Sequence, residues 1–87
     1  MNLSFTEIGW EDYTYWCDTD RKIQKKINKL IKEVLRHPFE GVGKPEPLKG
    51  SLSGLWSRRI DREHRLVYEV ESNEIIVHQC RYHYDRS

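Results

Sequence analysis

Eighty-seven residues with a net charge of +1 suffice for one small domain, 1–87, with a single thin core and no second lobe. Cys17 and Cys80 lack the spacing of a metal site or a disulfide framework, and read as two buried free thiols. There is no signal peptide pattern and no apolar run near the roughly 18 residues of a membrane span, so a soluble cytoplasmic protein is expected.

Asn2–Phe5 reads as a short strand with Leu3 and Phe5 facing inward. Thr6 can cap the helix that follows, and Glu7, Glu11 and Asp12 suit its positive end. Trp10, Tyr13, Trp16 and Cys17 recur at spacings of three and four, predicting one apolar helix face that ends near Asp18. Thr19 or Asp20 caps a second helix to about Arg36, whose stripe of Ile23, Ile27, Leu30, Ile31, Val34 and Leu35 is the clearest helical period in the chain. Charge is strongly patterned: residues 1–20 carry five acids and no base, whereas residues 21–36 carry seven bases and one acid, Glu33. A polyanion-binding face and a solvated helix surface each account for that basic run.

Residues 37–54 hold all three prolines and four of the five glycines, which predicts a loop of a length usually reserved for function. Three strands complete the chain, at about 55–61, 65–71 and 74–84, joined by turns at Asp61–His64 and near Ser72-Asn73. The order β-α-α-β-β-β predicts an α+β fold, two N-terminal helices packed on one face of a small, mainly antiparallel sheet.

Hairpin geometry then selects candidate residues. With an even pairing sum from a turn at Ser72 or Asn73, Arg65 and His83 share a face at one end of the sheet. Arg59 ends the neighbouring strand in the same region, within a cluster of Arg58, Arg59, Arg62 and Arg65 suited to planar phosphate contacts. Pro45 and Pro47 stiffen the presentation of Glu46, which Lys44 and Lys49 flank. A base, a cation and an acid form a set suited to phosphodiester cleavage. Histidine serves as the acid because its charge changes near working pH, and the guanidinium fork matches phosphate oxygens. An ordinary glutamate is a weak base and works best desolvated by bound RNA. Tyr84 can hydrogen-bond the phosphate or stack on a base.

Other constellations are weaker. Gly41-Val42-Gly43-Lys44 lacks the spacing and the following helix of a phosphate loop. His37, His64 and His78 lack metal-ligand spacing, and Ser51, Ser53 and Ser57 have no partnered histidine.

Several stretches together carry a family resemblance: Gly43-Lys44-Pro45-Glu46-Pro47-Leu48-Lys49, Leu52-Ser53-Gly54, Trp56-Ser57-Arg58-Arg59-Ile60, Glu63-His64-Arg65-Leu66-Val67-Tyr68 and Cys80-Arg81-Tyr82-His83-Tyr84. They resemble the YoeB (Txe) toxins of the RelE superfamily over nearly the whole chain. The resemblance implies a toxin of a type II toxin–antitoxin system that cuts mRNA in the A site of the 70S ribosome without a metal or other cofactor. It implies Glu46 as general base, His83 as general acid, Arg65 as phosphate stabiliser and Tyr84 as a substrate-positioning residue. Lys49 and Arg59 would support phosphate binding, and Lys44, Arg58 and Arg81 are the further basic candidates. It also implies a YefM-like antitoxin and a homodimer. A non-enzymatic inhibitor like the related ParE toxins, or a ribosome- or RNA-binding module, is the alternative on the same fold. Family members commonly finish at the His-Tyr pair, whereas this chain continues through Asp85-Arg86-Ser87, a tail that the site is expected to tolerate.

Overall fold

The computed structural model describes residues 1–83; Tyr84 and the Asp85-Arg86-Ser87 tail lie outside the described residues. Strand β1 (Asn2–Phe5) leads into helices α1 (Glu7–Thr19) and α2 (Arg21–Arg36), followed by β2 (Glu46–Pro47), β3 (Leu55–Arg59), β4 (Arg65–Glu71) and β5 (Glu74–Gln79). The sheet order is β1-β5-β4-β3-β2, with β1 parallel to β5 and every other pair antiparallel. Both helices cover one face of this sheet, as the expected α+β arrangement requires.

Each helix begins where its sequence supplies a cap. The Thr6 hydroxyl accepts from the Gly9 amide at 3.0 Å, and Asp20 accepts from the Lys22 and Ile23 amides at 3.1 and 3.2 Å. The α2 stripe is buried at Ile27, Leu30, Ile31 and Val34, each worth about 1.5–3 kcal/mol relative to exposure. These side chains meet Leu66, Tyr68, Ile75 and Val77 from the sheet, with Trp16 of α1 and Cys80 closing the cluster. Helix α1 lies close on β5, because a Cβ at position 9 would stand 2.3 Å from the Val77 carbonyl oxygen. Only glycine permits that approach.

Several expectations need correction. Trp10 does not share the buried face of α1; it is 54% exposed and packs its ring on Phe5 and Tyr13. Leu3 is likewise exposed, although Phe5 packs on the core. Cys80 is buried and Cys17 only half-buried, both as free thiols. The expected 37–54 loop contains a two-residue edge strand, Glu46–Pro47, and a single 3₁₀ turn, Gly50–Leu52. A proline is tolerated there because an edge strand can leave one side of its ladder unpaired.

The closing strand differs most. It ends at Gln79 rather than near residue 84. The two-residue Ser72-Asn73 turn gives an odd pairing sum (Glu71 opposite Glu74, Tyr68 opposite Val77), not the even one expected. A bulge then changes the sum, because Val67 pairs with Gln79 and leaves His78 as the extra residue. The bulge is held from the β1 side, by the residue that joins β1 to α1: the Val77 carbonyl accepts from the Thr6 amide at 3.0 Å, and the His78 carbonyl from the Thr6 hydroxyl at 3.2 Å.

Candidate active site

The sheet face away from the helices carries the candidate residues. Directly paired residues on adjacent strands point to the same face, so Glu46, Ser57, Val67 and Gln79 form one continuous row across β2, β3, β4 and β5. At about 4.8 Å per strand the row spans roughly 14 Å. Ser57 and Val67 at its centre are buried, whereas Glu46 at one end is exposed. Arg59 and Arg65 form the next directly opposed pair on this same face. Register thus brings Glu46, Arg59 and Arg65 together, with Lys44 and Lys49 exposed on the segment around β2.

Arg65 is fixed by the turn before it. Its Nη1 donates to the carbonyls of Asp61 at 2.8 Å and His64 at 3.0 Å. That turn is built on Asp61, whose Oδ1 accepts from the Glu63 and His64 amides at 2.9 and 2.7 Å. Partial burial pushes the Asp61 carboxyl upward, but these amides, with nearby Lys26, bring it below its ordinary value.

His83 reaches the same region from beyond the strand rather than within it. After Gln79 the chain is tied inward at Cys80, whose amide donates to buried Asp12 at 3.0 Å and whose carbonyl accepts from the Trp16 indole at 2.8 Å. Tyr82 then takes a left-handed conformation, φ +64°. The Gln79 side-chain amide donates to the carbonyls of Arg81 at 3.3 Å and His83 at 3.2 Å. The row therefore has Glu46 at one end and, at the other, the residue that holds His83. Tyr84 lies outside the described residues.

One basic candidate proves structural. Arg58 is fully buried on the helix side of β3. Its Nε donates to the Tyr68 hydroxyl at 3.1 Å, and its Nη atoms to the carbonyls of Val42 at 3.0 Å, Glu40 at 2.9 Å and His37. It anchors the 37–43 segment instead of facing a phosphate. Burial also pushes the Tyr68 hydroxyl above its ordinary pKa, against the opposing effect of Arg58. Alternation supplied a signal for Arg58, since it sits between Trp56 and Ile60 on the apolar face of its strand. The Arg81 guanidinium lies 3.6 Å from the Tyr15 ring centre and 4.6 Å from that of Tyr82, packing the 80–83 segment on α1. Sequence reasoning missed Gln79 and His64, because polar side chains that bond to backbone leave no spacing pattern.

Beside this face a groove of about 1040 Å³ runs between α2 and the β3–β4 turn. Lys22, Lys25, Lys29 and Arg36 line one wall and Lys44, Arg59 and Arg62 the other, over an apolar floor at Leu30 and Ile60. Among the described residues its acids are Glu33 and Asp61, so the groove is strongly cationic and continuous with the candidate site through Arg59. Among the described residues, no cluster of three or more His, Cys, Asp or Glu could hold a metal, and no helix is long and apolar enough to cross a membrane.

Residues 5–84 match the YoeB-like toxin of bacterial type II toxin–antitoxin systems. Toxin YoeB of Escherichia coli K12 is 60% identical over 84 residues, covering 97% of this chain and all of that one. The chain belongs to the YoeB-like toxin family. Among solved structures, the YoeB/ParE toxin from Agrobacterium tumefaciens superposes with a TM-score of 0.94 at 51% identity, covering 97% of this chain and 100% of that one. The Staphylococcus aureus YoeB–YefM complex gives 0.89 at 48% identity, covering 97% and 98% of the two chains. A YoeB dimer from the same organism gives 0.89 at 49%, with the same coverage. This toxin therefore shares its family's fold along nearly its whole length.

Proposed function

We propose that this toxin is an endoribonuclease that cuts mRNA in the ribosomal A site and so arrests translation. The observation that carries the reading is the single sheet face that bears Glu46, Arg59 and Arg65 and ends at Gln79, which holds the His83 carbonyl. A carboxylate, two guanidiniums and an imidazole are the groups that in-line cleavage of RNA requires.

In this reading Glu46 takes the proton from a ribose 2′-hydroxyl, and the 2′-oxygen attacks the adjacent phosphorus. Arg65 and Arg59 hold the developing negative charge, and His83 gives a proton to the departing 5′-oxygen. The products are a 2′,3′-cyclic phosphate, which water can open to a 3′-phosphate, and a 5′-hydroxyl. The reaction is written without a metal or other cofactor. Lys44 and Lys49 contact neighbouring phosphates, while Tyr84 orients the substrate. The cationic groove gives the polyanion a path beyond the cut. By analogy with the S. aureus proteins, a YefM-like antitoxin binds this toxin and two copies of it form a homodimer; with ribosomes as its target it works in the cytoplasm.

The test adds purified protein to ribosomes programmed with mRNA and maps new 5′ ends. Cuts confined to the A-site codon support the reading. Equal cutting of naked RNA removes the ribosome from it, and gyrase inhibition without RNA cleavage favours the ParE-like alternative.

A further inference from the structure

His64 stands between the two groups that the proposed chemistry most needs to hold in register. The residue is 8% exposed, and its ring lies edge-on to Trp16, with centroids 4.8 Å apart. Its Nδ1 accepts from the Tyr82 amide at 2.7 Å, and the Tyr82 carbonyl accepts from the Arg65 amide at 3.0 Å. Adjacent residues 64 and 65 thus grip the backbone of Tyr82 on both sides. The grip coincides with the left-handed φ of +64°, a conformation that costs an L-residue about 1–2 kcal/mol without compensation. That turn sets the direction in which the chain enters His83. Meanwhile the His64 carbonyl accepts from Arg65 Nη1 at 3.0 Å. One residue therefore bonds through its ring to the segment that carries the candidate acid, and through its carbonyl to the candidate cation.

The chemistry of the ring is fixed by this arrangement. An accepting Nδ1 bears no proton, so the ring proton resides on Nε2, which lies 3.6 Å from Glu63 Oε1. We infer that His64 is a positioning residue, whose Nδ1 holds Tyr82 in its left-handed turn and so sets where His83 stands relative to Arg65. The inference rests on the reading that His83 and Arg65 act on one phosphate. A displacement of about 1 Å in such a pair slows the chemical step on the order of 10²-fold. Phosphate affinity comes from other cations and is left alone.

The experiment compares wild type, His64→Ala and His64→Asn by single-turnover cleavage on mRNA-programmed ribosomes and by hydrogen exchange of the Tyr82 amide in the free protein. Asparagine can present its Oδ1 close to where Nδ1 stands, whereas alanine presents no acceptor. The expected result is a protected Tyr82 amide in wild type and His64→Asn. His64→Ala should expose it and cut about 10²-fold more slowly, with the half-saturating ribosome concentration unchanged. A folded His64→Ala that cuts at the wild-type rate overturns the inference, as does a folded His64→Asn as slow as the alanine variant. Should His64→Ala not fold, a freely exchanging Tyr82 amide in wild type still overturns it. Failure of wild type to cut any mRNA instead sinks the endoribonuclease reading, an outcome that the amide measurement keeps separate.

Discussion

The side-chain amide of Gln79 donates to the backbone carbonyl of His83 at 3.2 Å, across four residues that no longer belong to the strand. The same amide reaches the Arg81 carbonyl at 3.3 Å, so one side chain gathers the departing segment against the sheet. Because Gln79 also terminates the row that begins at Glu46, the two ends of the candidate site share one rigid support.

Gln79→Ala removes both bonds and leaves the hydrophobic core untouched. Cleavage on ribosomes should fall about 10- to 100-fold through loss of orientation. Urea denaturation should show a loss of no more than about 1–2 kcal/mol, the ordinary net worth of two half-exposed hydrogen bonds.

Arg58→Met should act on stability instead of on RNA. It strips donors from the carbonyls of His37, Glu40 and Val42 and from the Tyr68 hydroxyl, in a buried setting. A loss of about 3 kcal/mol or more is expected in urea denaturation. At a temperature where the variant remains folded, the salt dependence of RNA affinity should match wild type.

The α2 wall of the groove should behave oppositely. Lys25 and Lys29 are exposed and line the cationic groove. Replacing both with alanine should change stability by no more than about 0.5 kcal/mol. It should flatten the plot of log affinity against log salt by about 0.7 for each single-strand phosphate that is no longer neutralised. An unchanged slope would return α2 to an ordinary solvated surface.

Much of the fold was legible in the sequence because its signals are local. The α2 stripe, the caps at Thr6 and Asp20 and the β4 alternation each depend on residues within a turn or two of one another. Opposition of Arg59 and Arg65 also follows from a short turn between two strands. The bulge at His78 does not follow, because its carbonyl is satisfied by Thr6 from the far end of the chain. Without that bulge the pairing sum stays odd, and Gln79 turns to the opposite face. An even sum was expected from the turn, whereas the turn gives an odd one and only the bulge makes it even beside Gln79. Arg58 was misplaced because its neighbours Arg59, Arg62 and Arg65 suggested a cluster, whereas strand alternation separates it from them.

The Asp61 turn should give the protein a mild acid sensitivity. Its carboxyl is held below the ordinary value of 3.8 when folded, so its stabilising effect is full above about that pH. That effect disappears as pH falls through the lower folded value. In urea denaturation between pH 5 and pH 3 the wild type should lose more stability than Asp61→Asn, since asparagine keeps an acceptor but has no titration. Equal losses would detach Asp61 from the turn that carries Arg65.

The most direct measurement is the chemistry of the cut ends. Ribosomes holding a defined mRNA are treated with wild type, Glu46→Ala or His83→Ala, and the termini are typed by enzymatic end-labelling and mass spectrometry. The expected result is a 2′,3′-cyclic phosphate and a 5′-hydroxyl at the A-site codon with wild type, and a loss of at least about 10²-fold in rate with either variant. A 5′-phosphate product, or wild-type rates from folded His83→Ala, would contradict the assignment of this sheet face as the cleavage site.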